Sequence, residues 1–399
     1  PEAIELEEWR SRIIYAHVLL LNHALKFGYV YECWLGIVMT VFEKDPGSPK
    51  LHRLRAIHLC EWDWNLLMGV KWCHLLHLAC DRKFIDENCC GSMPGKERLD
   101  PALAKELEHE IAHLTRLAVT MNEDDSKANC DRIHAFVANV AGPSKGLDKR
   151  VCTVHGRTLK EAKFHAQTKM GISKRHIQHG RLCPLLGTGQ GSTTSPPVWL
   201  FICGALFDAH CQRAKGAFCA SPDRHVECTL HILGFVDDTC RQTNATTSNP
   251  STALATSPPP NIAWLLTEAC KDSQLWHDIL EACNQKLESS KHKCHAIHFN
   301  FDDEGTPTMA LDEAGPHPTV VTDGEGCQME MKHQPSNVEI KCLGCFKAPD
   351  SNQRQLQAIT AKCDDFARIA NTSSLTRLEG HLMCQAICRL SVGFPLPMC

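Results

Sequence analysis

The chain has 399 residues, 43% of them hydrophobic and 22% charged, a balance that excludes a disordered or fibrous protein and allows two or three packed subdomains. Lys and Arg number 42 against 46 Asp and Glu, so the formal net charge of −4 is not that of a dedicated polycation. The 24 cysteines are irregularly spaced in a chain too long for a disulfide miniprotein, and the opening at Pro1 reads as a segment of something longer.

Apolar spacing predicts a first helix over residues 5 to 28. Its apolar run, Ile13 to Leu21, follows a stretch in which Glu2, Glu5, Glu7 and Glu8 outnumber Arg10 and Arg12, unlike the basic start of a secretory signal. Tyr29 to Phe42 is broken by Glu32 and too short to span a bilayer, so an intracellular protein off the membrane is expected. Further helices are predicted at 60 to 81 and 100 to 118, the latter started by Asp100-Pro101. Within the former, His74 and His77 share a face while Cys73 points elsewhere, and Cys80 completes the group. That arrangement favours buried thiols and imidazoles over a metal site. Within the latter, His109-Glu110-Ile111-Ala112-His113 is an H-E-x-x-H, the spacing of a zinc metalloprotease with Glu110 as base. No third ligand follows at a protease spacing.

Leu117, Val119 and Met121 alternate like a strand that ends in Asn122-Glu123-Asp124-Asp125. From Lys145 to Arg181 ten basic residues stand against Asp148 and Glu161; the strip is either a phosphate-tracking surface or a solvated helical face. A helix follows over 196 to 215, then strand-like alternation through Val226, Cys228, Leu230 and Ile232. Thr239 to Pro260, rich in Thr, Ser, Asn and Pro, reads as an exposed loop. Trp264, Leu265, Leu275, Trp276, Ile279 and Leu280 mark another helix, and two more are expected at Gln353 to Ala370 and from about Leu375 to Leu390. The single CxxC, Cys342 to Cys345, has no second pair to complete a zinc knuckle. Helices and short strands mix without a βαβ rhythm, which predicts an α+β fold.

The sharpest local feature is Gly234-Phe-Val-Asp237-Asp238-Thr239. Neighbours on a strand point to opposite faces, so paired aspartates are not a burial pattern, and on their own they signal a turn. At a hairpin tip both can also flank a cation. With Asp125 at the end of another strand they form the donor set that two-metal phosphoryl transfer requires: hard carboxylate oxygens around two divalent ions.

Asp125-Ser-Lys-Ala-Asn-Cys-Asp131-Arg-Ile resembles the reverse-transcriptase pattern D-x-x-x-A-F-D-x-I, and GFVDDT resembles the catalytic hairpin of the same enzymes, aromatic-x-Asp-Asp. Between them, Gly187 to Phe201 (GTGQGSTTSPPVWLF) is similar to the G-x-x-Q-G-x-x-x-S-P motif under the incoming nucleotide. The order of the three is the family's order. Trp34 to Leu59 resembles the fingers segment, with Lys44 and Arg55 at the triphosphate-gripping positions, where an ammonium and a guanidinium fork suit phosphate oxygens. Lys291 matches the lysine near the triphosphate, and Leu343-Gly344 looks like part of the primer-gripping hairpin. The likeness spans about residues 25 to 390, with its closest feel among retrotransposon enzymes of unicellular algae and protists.

The resemblance implies an α+β right-hand polymerase: fingers at 1–115, palm at 116–140, a basic fingers insertion at 141–185, palm again at 186–348, and the start of a thumb at 349–399. An antiparallel palm sheet would be backed by helices. It further implies RNA-directed DNA synthesis, with Asp125, Asp237 and Asp238 holding two Mg²⁺ (Mn²⁺ as substitute) and Lys44, Arg55, Cys130, Gln190, Gly191 and Lys291 around the nucleotide. The partners implied are an RNA template, a DNA or RNA primer and dNTPs. Cys130 departs from the pattern, since an aromatic ring usually blocks a ribose 2′-hydroxyl there; weaker sugar discrimination is expected. Asn129 and Asn284-Gln285 depart as well. Two rivals remain: a polymerase-like protein without activity that only binds RNA, and the HExxH protease.

Overall fold

The computed structural model describes residues 2–43, 47, 54–126, 132–180, 187–221, 223, 225–244, 262–287, 295–309, 319–342, 345–348, 351–374 and 376–384. Its strands, in chain order, are β1 (Gly36–Glu43), β2 (Leu54–Leu59), β3 (Val119–Asp125), β4 (Lys163–Thr168), β5 (Gly171–Ile172), β6 (Ile177–Gln178), β7 (Ala217–Ala220), β8 (Glu227–Leu230), β9 (Ile232–Phe235), β10 (Asp238–Asn244), β11 (His295–Phe301), β12 (Pro307–Met309), β13 (Thr319–Thr322), β14 (Gln328–Gln334), β15 (Ile340–Cys342) and β16 (Cys345–Lys347). They fall mainly into two sheets, of order β2-β1-β4-β5 and β13-β14-β11-β3-β10-β9. Antiparallel pairing dominates, with parallel exceptions at β1–β4 and β11–β14. The result is a mixed α/β protein of helices and mostly antiparallel sheets.

The helix Ser195–Cys211 is the spine of the core. Pro196 and Pro197 suit its first turn, where their missing N–H groups cost nothing, and it is apolar around most of its circumference because it is buried except at positions such as Ala205 and Asp208. With the helix Ile262–Ala282 it packs against one face of the larger sheet. The same core carries Trp34, Trp64, Trp72 and Phe201, so it continues into the smaller sheet's half of the molecule. The helix Leu99–Thr115 ends with Arg116 in the left-handed region (φ 51°) and lies against the opposite face of the larger sheet. There Lys105 reaches Glu123 and His109 Nε2 comes within 3.0 Å of Met121 Sδ.

The basic segment forms the helix Lys149–Glu161 and the β4–β6 strands, and joins the smaller sheet through the parallel β1–β4 pair. Asp148 caps that helix, accepting from Arg150 N–H at 2.7 Å. Lys145, Arg157 and Lys163 are drawn into contacts with Phe84, Gly28 and Glu32, while Lys149, Arg150, Lys160, Lys169, Lys174 and Arg175 stay exposed.

Several expected boundaries move. The expected strand through Ile232 is broken at His231 into β8 and β9. Thr239 to Asn244, expected as the start of an exposed loop, is instead the buried strand β10 between β3 and β9. Its polar side chains survive burial because Arg241 and Asn244 find charged or backbone partners. Among the described residues no helix is long and apolar enough to cross a membrane.

Candidate active site

β3 and β10 pair so that Asp125 stands directly opposite Asp238. Ser126 N–H donates to the Asp237 carbonyl at 3.0 Å, which makes 125/238 a non-hydrogen-bonded pair. In such pairs the Cα atoms lie about 4.5 Å apart and the side chains are closest. Asp237 is the second residue of the two-residue turn joining β9 to β10. Three carboxylates from two distant stretches of the chain therefore crowd one end of the sheet, an arrangement that like charges disfavour unless something offsets them.

The turn is pinned from below. Val236 O accepts from Trp199 Nε1 at 2.6 Å, Gly234 N–H donates to Asn88 O at 2.9 Å, and Cys90 N–H donates to Gly234 O at 2.8 Å. A Cβ on Gly91 would come within 2.1 Å of Val236 N, so only glycine lets the 88–91 loop pass beneath the turn. Val236 itself has φ 60°, the signature of a type II′ turn, in which glycine is the easy occupant of that position.

Charges on the Asp125 face are graded. Burial and the Asp237 carboxylate push the Asp238 carboxyl up to about 6, Glu123 adds to this, and Lys105 and Arg98 oppose it. Lys105 is itself held by both oxygens of Glu123, at 2.9 and 2.7 Å. Carboxylates gathered in this way could hold a divalent cation, since hard ions take oxygen donors. The oxygens are not drawn into one tight cage. Among the described residues, the three-donor group with ligand atoms within 4.8 Å of one another is Asp323, Glu325 and Cys327 in the β13–β14 turn.

The opposite face of the same strands carries a buried ionic chain. Arg241 donates from Nε to Asp124 Oδ2 at 3.0 Å and also from Nη2, while its Nη1 reaches Asp272. Asp272 Oδ1 lies 2.7 Å from His210 Nε2. Burial alone would raise the Asp272 carboxyl, but Arg241 and His210 bring it below its ordinary value. An ionised carboxylate can only accept, so His210 Nε2 carries the proton. Sequence reasoning missed Arg241, Asp272 and His210. Treating Asp237-Asp238 as a hairpin tip would have required a return strand through Arg241, and that was the available signal.

The Gln190–Gly191 segment lies along β2. His58 N–H donates to Gln190 O at 2.6 Å, and Gly191, at φ 102°, leaves room for His58 O, which a Cβ would approach to 2.7 Å. Ser195 Oγ donates back to Gly189 O at 2.6 Å, and Thr193 Oγ1 to Asn65 O at 2.7 Å. The motif thus straps the smaller sheet to the head of the helix Ser195–Cys211. Arg55 is exposed on β2, paired in register with Phe42. Lys44, Cys130, Lys291 and Leu343-Gly344 lie outside the described residues.

The two histidines of the H-E-x-x-H sit in packing contacts. His109 is buried against Met121, the His113 ring packs edge-on to Phe301 at 5.5 Å, and neither belongs to a three-donor group among the described residues. The Cys73, His74, His77 and Cys80 set forms no such group either, and Cys73, His74 and His77 lie exposed on the outer face of their helix rather than buried as expected.

No family model matches the chain, and no curated protein does. Solved structures to which it is similar include a Candida tropicalis telomerase in complex with a TWJ fragment of telomeric RNA, at 11% identity and a TM-score of 0.45, over 92% of this chain and 53% of that one. Apo telomerase from Candida tropicalis, truncated from its C-terminal domain, gives 12% identity and a TM-score of 0.42, over 74% and 57%. The chain spans little more than half the length of either.

Proposed function

We propose that the chain is the fingers, palm and first part of the thumb of a retrotransposon-type reverse transcriptase, catalysing template-directed DNA synthesis on RNA. The observation that carries this reading is the β3–β10 register, which sets Asp125 opposite Asp238 with Asp237 in the adjoining turn. Residues 1–115 and 141–185 would form the fingers, 116–140 and 186–348 the palm, and 349–399 the start of the thumb.

In the reaction the primer 3′-oxygen forms a bond to the α-phosphorus of a dNTP. The α–β phosphoanhydride bond breaks, pyrophosphate leaves and the hydroxyl proton passes to solvent. Asp125, Asp237 and Asp238 would hold two Mg²⁺, which supply charge neutralisation and a more acidic 3′-hydroxyl when bound. The aspartate side chains need only rotate to close on such ions, because pairing and the pinned turn already fix their backbones. Arg55, with Lys44 and Lys291, would grip the triphosphate. Gln190 and Gly191, held flat on β2, would floor the nucleotide and template pocket, with Cys130 beside the sugar. The exposed cations of the 145–181 strip would follow the template backbone.

Primer extension on a primed RNA template with Mg²⁺ and dNTPs tests the reading. The parent is expected to extend and Asp237→Ala is not; RNA binding without extension by either would reduce the protein to a binding module. A Cys130→Phe variant should raise the dNTP/NTP incorporation ratio, and equal ratios would refute the role given to Cys130.

A further inference from the structure

We propose that Arg241, with Asp124, Asp272 and His210, is a positioning cluster that sets the spacing of the metal-binding carboxylates. This rests on the polymerase reading and adds to it residues that touch neither substrate nor ion. Arg241 is fully buried, and its guanidinium is divided between two carboxylates from different elements. Asp124 immediately precedes Asp125 on β3, and Arg241 lies three residues beyond Asp238 on β10.

The fork ties the two catalytic strands together across the sheet face opposite the carboxylates. Asp272 anchors it to the helix Ile262–Ala282, and through His210 to the end of the helix Ser195–Cys211, whose head carries the Gln190–Ser195 strap. One chain of bonds therefore links every element that presents a proposed site residue in the larger sheet.

The chemistry argues for register rather than simple adhesion. Buried ion pairs hold a core no better than well-packed apolar side chains of the same volume, but they penalise any arrangement that leaves a charge unpaired. A one-residue slip between β3 and β10 would turn Arg241 onto the other face and strand all three charges, and it would also separate Asp125 from Asp238. The planar fork matters because Arg241 must satisfy Asp124 and Asp272 at once, which the point charge of lysine cannot do with the same geometry.

Mn²⁺ binding, followed by the electron-spin signal of unbound ion, tests the proposal alongside melting temperature and steady-state extension. The variants are Arg241→Lys, Asp272→Asn (which removes one arm and keeps the Arg241–Asp124 pair should the first not fold), Asp238→Asn, and Trp64→Phe as a core control outside the ionic cluster. Arg241→Lys and Asp272→Asn are expected to weaken Mn²⁺ binding and lower kcat by about 10- to 100-fold, the range seen when outer partners of metal ligands are removed. The KM for dNTP should hold, and Trp64→Phe should leave Mn²⁺ affinity unchanged at a comparable loss of melting temperature. Mn²⁺ affinity equal to the parent's in both cluster variants, with Asp238→Asn weakened, would overturn this inference alone. Equal binding by parent and Asp238→Asn would overturn the polymerase reading and this inference with it.

Discussion

Replacing Asp238 by Asn isolates the electrostatic cost of gathering the carboxylates. Asp238 faces Asp125 across the ladder, and burial with the adjacent Asp237 charge lifts its carboxyl from 3.8 to about 6. Between those values the folded chain keeps a proton that the unfolded chain has released. Stability contributed by Asp238 is therefore complete below about pH 4, falls as pH rises through the window, and is gone above about pH 7. Two pK units at about 1.4 kcal/mol each give about 3 kcal/mol, which solvent screening of a partly exposed group reduces to roughly 2 kcal/mol. Asn keeps the shape and cannot ionise. In chelator, Asp238→Asn should melt a few degrees above the parent at pH 8, with about half that gap left at pH 5. Excess Mg²⁺ at pH 8 should raise the parent and close the gap. Buried histidines titrate alike in both proteins, so the difference between the melts is the readout. A gap that ignores pH, or a parent that melts higher at pH 8 without cation, would refute the reasoning.

Val236→Gly should relieve the positive-φ strain in the turn and stabilise the fold by about 1 kcal/mol, read as a rise in melting temperature; a fall would show that the valine side chain contributes more packing than its backbone costs. Gly91→Ala should force the turn upward, lowering stability by about 1–3 kcal/mol and cutting extension more than tenfold. Unchanged extension would mean that the turn position is not critical. His155, buried beside Trp64 and Trp72, is held by burial near a pKa of about 4, so stability present above pH 6.5 is lost as pH falls toward 4. His155→Phe should flatten that acid limb in melts between pH 6.5 and 4.5, and an unchanged slope would count against it.

Periodicity made the long helices legible, because elements such as Trp62–Asp81 and Ile262–Ala282 bury a stripe that repeats at the helical spacing. It misjudged β10. Thr239 to Asn244 is polar, and a polar stretch reads as loop unless its partners are known; here Asp124, Asp272 and the Phe218 backbone are supplied by other elements. The order of motifs singled out Asp125, Asp237 and Asp238, yet only strand register gives their mutual placement, and no local pattern in the sequence encodes that register. The turn beneath the site was equally hidden, since Gly91 and Trp199 act there through contacts remote in sequence. The HExxH match shows the converse: a chemically exact spacing can be an ordinary packing face.

Primer extension on a defined RNA template, comparing the parent with Asp125→Asn and Asp237→Ala at matched folding, tests the central claim most directly. The account predicts Mg²⁺-dependent products whose sequence copies the template from the parent, and none from either variant. Template-copied products from both variants would contradict it, because the paired carboxylates at the β3–β10 junction would then not be the catalytic centre.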